Sequence, residues 1–145
     1  MTDWQLRQAR VEDADGLAAC LTAAYAPYKK TIADLPDVAD DCEGQIAKSQ
    51  VWVIEQDDTI IAALLLTPGE GHLYLSNVAV HPDHRGKGLG RILMSKAEAE
   101  ATRQGFPAVH LTTHAMMPEN VRLYTRLGYI EEGRSANKVF MRKEL

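Results

Sequence analysis

The stretch from Asn77 to Arg91 constrains this chain more than any other. It reads Asn77-Val78-Ala79-Val80-His81-Pro82-Asp83-His84-Arg85-Gly86-Lys87-Gly88-Leu89-Gly90-Arg91. That is an apolar strand, a basic glycine-rich loop and the opening of a helix. Gly86, Gly88 and Gly90 leave the backbone bare, so successive N–H groups can approach an anion. They lie where a helix begins, and its unpaired N–H groups and dipole attract phosphate. Arg85, Lys87 and Arg91 add positive charge. The competing account is a surface loop of solvated charges, and the coincidence of glycines, bases and a helix start argues against it. Two nucleotide readings fail on spacing. A P-loop needs G-x-x-x-x-G-K-[ST], but Gly90 is followed by Arg91-Ile92. A dinucleotide oxidoreductase needs G-x-G-x-x-G straight after its strand, and Gly86-Lys87-Gly88-Leu89-Gly90 is one residue short.

The pattern on either side predicts one α/β domain spanning residues 1–145. Trp4 to Gln8 alternates as a strand. Asp13 is placed to cap a helix whose apolar face is Leu17, Cys20, Leu21 and Ala24, ended by Pro27. A second helix is expected from near Asp37 to Lys48. Val51–Glu55 and Thr59–Thr67 form a hairpin around Gln56-Asp57-Asp58, and Leu73–Val80 is the next strand. The apolar run Ile60 to Leu66 reads as a strand buried on both faces. The long helix, at about Gly88–Gln104, buries Leu89, Ile92, Leu93 and Ala97 and turns Arg91, Lys96, Glu98 and Arg103 to water. Val109–Thr113 is a strand, and Asn120–Leu127 a short helix stopped by Gly128. Tyr129-Ile130 and Val139–Met141 close the sheet.

The loop and the elements around it resemble the GNAT N-acetyltransferase superfamily. Arg85-Gly86-Lys87-Gly88-Leu89-Gly90 matches its [QR]-x-x-G-x-[GA] acetyl-CoA signature. The Asn-Val-Ala-Val strand fits too, and Asn120 through Tyr124 to Gly128-Tyr129 looks like the family's N-x-x-x-Y-x-x-x-G-[FY] motif. The resemblance implies a mixed, mostly antiparallel central sheet flanked by helices, with strands splayed at the acetyl-CoA site. It implies that backbone groups of Val78 and Val80 bond the pantetheine arm by strand addition. A backbone N–H near Ala79 would meet the thioester carbonyl, where oxyanion charge develops. Amides from Arg85 to Gly90, with Leu89 among them and Arg91 beside them, would hold the pyrophosphate. Asn120 would hydrogen-bond the pantetheine; its alternative is a helix N-cap. Tyr124, on the same helix face, would protonate the departing thiolate; its alternative is a core tyrosine beside Leu123 and Leu127.

The acceptor side is less legible. An amine of pKa about 10.4 costs roughly 4–5 kcal/mol to deprotonate at pH 7, so direct attack needs a base, a water relay or a desolvating pocket. No compelling base stands out. His114, past a strand end, and Glu119, before the Asn120 helix, fall near the expected cleft, with a loop histidine and a helix-start carboxylate as the plainer accounts. Glu43 reads as a solvated helix face. Tyr25 and Tyr28, in the expected link between the first two helices, are where family members often line the acceptor pocket. Residues 31–47 hold Asp34, Asp37, Asp40, Asp41 and Glu43 and no Lys or Arg. They are either a rim that concentrates a cationic amine or a solvated helix start.

Charge and cysteines bound the rest. The net charge of −4 divides into −9 before Arg85 and +5 from Arg85 onward, one part suited to phosphates and the other to cations. No apolar run approaches the ~18 residues of a membrane span. The start, Met1-Thr2-Asp3-Trp4, lacks a basic and an apolar region, so no signal peptide is expected. Two cysteines cannot make a disulfide framework, and cytoplasmic location is the default expectation. Cys20 and Cys42 are expected on early helices away from the cofactor segment, which disfavours a covalent acyl-enzyme. Neither nucleic acid nor a metal is expected as a partner; His81 and His84, three apart around Pro82, read as loop residues. The expected function is direct transfer of acetyl from acetyl-CoA to a small-molecule amine in a ternary complex. The alternatives are acetylation of a protein or peptide N-terminus or lysine, and a non-catalytic acyl-CoA sensor. A homodimer is one option for assembly.

Overall fold

The computed structural model describes residues 3–33 and 39–145. Its strands, β1 (Trp4–Gln8), β2 (Gln50–Gln56), β3 (Thr59–Pro68), β4 (Leu73–Val80), β5 (Ala108–His114), β6 (Ile130–Ser135) and β7 (Lys138–Glu144), line up in the order β1-β2-β3-β4-β5-β7-β6. The chain divides into two compact units. One is the chain up to Leu66 together with Asn77–Met94; the other is Thr67–Ser76 together with Ser95–Leu145. Two strands and one helix run through both.

In the first unit, β1 (Trp4–Gln8), β2 (Gln50–Gln56) and β3 (Thr59–Pro68) are antiparallel neighbours. Asp57 and Asp58 turn the β2–β3 hairpin with φ of 51° and 60°, so that Gln56 faces Thr59. Two positive φ values make the mirror-image turn whose twist matches the strands, and aspartate tolerates that region. Every residue of β3 from Ile60 to Leu66 is buried, as its continuous apolar run predicts. Leu17, Cys20, Leu21 and Ala24 of α1 (Ala14–Lys29) pack with Val51, Val53, Ala63, Leu65 and Ala79. This is the expected helical face meeting alternate strand residues.

Three local expectations are corrected here. Helix α1 continues through Pro27 to Lys29. A proline removes one backbone bond, and so near the helix end the packing of the earlier turns carries the last one. Asp13 sits at the N-cap position but does not cap. Its carboxylate accepts from Arg7 at 2.8 and 2.9 Å and from the Arg10 N–H at 2.7 Å, bonds that hold its pKa down to about 2. Arg7 also reaches Glu55 at 3.2 Å. Helix α2 (Cys42–Lys48) starts later than expected, where Asp41, at φ 54°, accepts the Gly44 N–H at 3.1 Å. Asp34 and Asp37 lie outside the described residues.

Strand β4 (Leu73–Val80) begins in the second unit. There Leu73–Leu75 pair in parallel with Val109–Leu111 of β5 (Ala108–His114). β5 runs antiparallel to β7 (Lys138–Glu144), and β7 to the edge strand β6 (Ile130–Ser135). Val109, Leu111, Val139 and Met141 are buried by alternation. Helix α3 (Leu89–Arg103) buries Leu89, Leu93, Met94, Ala97 and Ala101. Glu98, expected to face water, instead accepts from the Tyr129 hydroxyl at 3.3 Å and from Lys143 at 2.9 Å. Lys96 is half-buried and pairs at 3.2 Å with the buried Glu100, which Arg103 also holds at 2.8 Å. Among the described residues no helix is long and apolar enough to cross a membrane.

Candidate active site

The loop after β4 is built from a closed turn followed by an open one. The His81 N–H bonds the Ile61 carbonyl at 2.8 Å and continues the sheet one residue further. Pro82–His84 form a 3-10 turn. Its ends are tied by His84 N–H to His81 O at 2.9 Å and by Asp83 N–H to His81 Nδ1 at 3.1 Å. Beyond it, Gly86 and Gly88 have φ of 81° and 79°. A side chain at either would meet nothing within 4 Å. Glycine is needed there for its backbone conformation, and the space in front of the loop is open. Ile92 N–H to Gly88 O, at 3.2 Å, is the first rung of α3. The amides of Leu89, Gly90 and Arg91 therefore precede the ladder, at the positive end of a helix fifteen residues long. Buried Leu89 fixes this end to the core.

The basic side chains of the loop are not equivalent. Arg91 is exposed. The Lys87 ammonium lies 3.0 Å from His84 Nδ1. Arg85 turns away to α1, where Nη2 donates to the Ala24 carbonyl at 2.9 Å and the guanidinium carbon lies 5.9 Å from the Tyr28 ring centre. Its side chain thus does not simply add charge to the loop, contrary to expectation.

Tyr25 and Tyr28 lie on α1 itself, not in a link after it. The Tyr25 hydroxyl donates to Asn77 Oδ1 at 2.7 Å. Burial, then the neighbouring Tyr28, pushes its pKa up to about 12. Asn77 does not stand out in the sequence as a site residue. It is one of two buried polar residues among those described and sits on β4 one position before Val78. The available signal is an asparagine on the inward phase of an alternating strand. Cys20 also proves closer to this segment than expected, since it packs in one cluster with Ala79 and lies beside the His81 backbone. Burial pushes that thiol up to about 11, which leaves it protonated and a poor nucleophile. A pocket of about 370 Å³ on this unit, lined by Glu12, Cys20, Glu55, Asp58 and His81, includes none of the acceptor candidates.

In the second unit, Asn120 and Tyr124 stand one turn apart on α4 (Pro118–Arg126). Met117 takes the N-cap position and Pro118 the first helical one. Asn120 is therefore inside the helix, which overturns the N-cap account. Its side-chain nitrogen lies 3.4 Å from Met117 Sδ, and the residue is half-buried. Tyr124 is buried, with its ring edge-to-face on Tyr129 at 6.1 Å. Helix α4 closes as a Schellman motif, with Gly128 N–H on Thr125 O at 3.1 Å and Tyr129 N–H on Tyr124 O at 2.9 Å. The same two tyrosines are thus linked through backbone and ring. Behind them Lys143 lies 5.9 Å over the Tyr129 ring and bonds Glu98. Burial, then the Glu98 charge, pushes the Tyr129 hydroxyl well above the usual phenol range.

The acceptor candidates of this unit flank α4. His114 ends β5 opposite Lys138, and its Nδ1 accepts the Met116 N–H at 3.1 Å. Glu119 is exposed in the first turn of α4. In the first unit Asp40 and Glu43 are exposed, while Asp41 is committed to capping α2.

Known proteins share this architecture. The profile of the Acetyltransferase (GNAT) family matches residues 17–129. Streptothricin acetyltransferase of Streptomyces lavendulae is 30% identical over 120 residues, covering 79% of this chain and 64% of that protein. The S-alkylcysteine N-acetyltransferase of Bacillus subtilis strain 168 is 28% identical over 142 residues, or 89% and 80% of the two chains. Among solved structures, the PaiA N-acetyltransferase of Thermoplasma acidophilum, in complex with coenzyme A, superposes with a TM-score of 0.83. Its identity is 18%, with all of both chains covered, a likeness of fold.

Proposed function

The chain belongs to the GNAT acetyltransferase family, and on that premise we propose that residues 1–145 form one N-acetyltransferase domain acting from acetyl-CoA on a small-molecule primary amine. The observation that carries the cofactor half is the loop Gly86–Gly90. Two positive-φ glycines, open space in front of them and the unladdered amides of α3 make a cradle suited to a pyrophosphate. In this reading the backbone from Arg85 to Gly90 holds the pyrophosphate, and Lys87 and Arg91 supply the neighbouring charge. Val78 and Val80 offer backbone groups to the pantetheine amides, and the N–H near Ala79 meets the thioester carbonyl. Asn120 bonds the pantetheine.

Chemistry follows from the same assignment. The neutral amine attacks the thioester carbon, the C–S bond breaks, the new amide nitrogen gives up one proton to water, and the leaving sulfur takes a proton. Tyr124 is the donor of that proton, because phenols ordinarily keep theirs at neutral pH. Direct transfer is favoured over an acyl-enzyme by the raised thiol of Cys20, the cysteine beside the loop segment. Tyr25, Tyr28, His114 and Glu119 remain the acceptor-side candidates.

Support for a small acceptor comes from relatives named for acting on streptothricin and on S-alkylcysteine. The deciding experiment measures thiol release from acetyl-CoA across simple amines, amino acids, aminoglycosides and peptides. Turnover with a small amine or amino acid is the expected result. Turnover confined to peptides would move the function to protein acetylation. Acetyl-CoA binding without turnover on any acceptor would make the chain a sensor.

A further inference from the structure

We infer that Arg85 is a positioning residue for the glycine loop, a strut from the loop's first residue to helix α1, and that its charge is not what binds phosphate. The inference rests on the acetyl-CoA reading above. The geometry carries it. The guanidinium donates to the Ala24 carbonyl at 2.9 Å and lies 5.9 Å from the Tyr28 ring centre. Both partners are on α1, and the first of them is 61 residues from Arg85 in sequence.

The sequence places a weak point of α1 beside this contact. Pro27 stands inside the helix and has no N–H for the Ala23 carbonyl. The last turns of α1 are thus held by fewer backbone bonds. Arg85 reaches the next carbonyl, Ala24, near the negative end of the helix, where a cation is favoured. The Tyr28 face adds a cation–π contact. Proline, carbonyl, aromatic ring and guanidinium form one arrangement.

The loop explains why such a strut matters. Gly86 and Gly88 both sit at positive φ, and no atom lies within 4 Å of where their side chains would be. Glycine loses more conformational freedom on ordering than any other residue. A loop of this kind, left to itself, must be ordered by its ligand, and affinity falls by that cost. An anchor at the residue immediately before Gly86 sets where the amides point before the ligand arrives. The work needs a hydrogen-bond donor of the right length. Its charge acts at the Tyr28 face and the end of α1, not at the phosphates.

That distinction makes the test. Coenzyme A is titrated calorimetrically into wild type, Arg85→Ala, Arg85→Gln and Tyr28→Leu at two salt concentrations, with thermal melts alongside. Arg85→Ala is expected to bind about tenfold more weakly, the scale of a lost hydrogen bond to a charged group. Arg85→Gln, which keeps a shorter donor and loses the charge, is expected to recover part of that affinity. Its salt dependence should match wild type, because no phosphate-binding charge has gone. Tyr28→Leu, which removes only the ring under the guanidinium, should weaken binding in the same direction. In turnover, KM for acetyl-CoA should rise in Arg85→Ala while kcat at saturation stays put.

Other outcomes overturn the strut. If Gln binds as weakly as Ala, with a shallower salt dependence than wild type, Arg85 is a phosphate ligand. Equal affinity in all variants leaves Arg85 without a part in binding. If Arg85→Ala does not fold, the affinity and salt dependence of the Gln variant against wild type decide alone. Failure of the wild type to bind coenzyme A would remove the cofactor reading and the strut with it, a result visible before any variant is made.

Discussion

The glycine loop and helix α4 solve the problem of presenting polar groups in opposite ways. In the proposed function the working groups at Gly86–Arg91 are backbone amides, set by two positive-φ glycines and the start of α3. At Asn120 and Tyr124 they are side chains on a regular helix, oriented by what packs behind them. Tyr124 is buried against Tyr129, and Tyr129 is held by Glu98 and Lys143. Backbone sites depend on conformations that few residues adopt, so they tolerate little substitution where they stand. Side-chain sites depend on neighbours far off in sequence, so their failure modes are remote.

The contrast is tested most severely at Tyr124. Tyr124→Phe keeps the ring on Tyr129 and deletes only the hydroxyl. It is expected to lower kcat by about 10²-fold or more, the scale of a lost general acid, with coenzyme A affinity nearly unchanged. An unaltered kcat in single-turnover measurements would take Tyr124 out of the chemistry. In the loop the effect should fall on binding instead. Gly88→Ala has room for its methyl group but must hold φ near 79°. The strain, roughly 1–2 kcal/mol, should appear as a lower Tm and an approximately tenfold weaker affinity for coenzyme A.

A control in the same unit separates stability from binding. Asp13, with its pKa lowered to about 2 by Arg7, is bonded away from the loop. Its folded pKa lies below the ordinary aspartate value near 3.9. Its contribution is therefore present above about pH 4 and lost as pH falls toward 2. Asp13→Asn should destabilise by about 1–2 kcal/mol at pH 7. In denaturant titrations the gap to wild type should narrow steadily as pH falls through that window. Coenzyme A affinity at neutral pH should not move; a weakened affinity would mean that the α1 scaffold and the loop are not separable.

The smallest effect, and the sharpest for the backbone argument, is expected at Gly90. It has no positive φ, and a side chain there would meet nothing within 4 Å. Glycine in a helix costs roughly 0.5–1 kcal/mol relative to alanine. Gly90→Ala should thus raise Tm slightly and leave coenzyme A affinity nearly unchanged, because the signature accepts alanine there and a methyl group meets no protein atom. A clear loss of affinity would show that the ligand lies against Gly90 more closely than a methyl group allows.

Much of this arrangement is legible without coordinates. Glycine spacing, alternation and an unbroken apolar run are local features, and they predict the loop, the β2–β3 hairpin and the buried β3 directly. The motif around Asn120 and Tyr124 is legible as a spacing. What escapes are contacts between segments remote in sequence. Arg85 on the Ala24 carbonyl, Tyr25 on Asn77 and the Glu98–Lys143 pair behind Tyr129 join residues 61, 52 and 45 positions apart. Asp13 has the local pattern of a cap, while the guanidinium that takes its carboxylate lies on the preceding strand. Pro27 has the local propensity of a stop, but packing of the earlier turns carries α1 past it.

By itself, the sequence determined the family, the order of the strands and helices, and the place where backbone amides are bared, because these follow from local backbone preferences and short-range periodicity. Only the tertiary structure decided where each charge is spent. In sequence Arg85 and Lys87 are two equal bases beside glycines. In the fold one reaches an α1 carbonyl and a tyrosine face, and the other stays on the loop beside His84. Formal charge is a property of the residue, but its use depends on the nearest partner. In a folded chain that partner is set by distance in space, which composition and spacing do not encode.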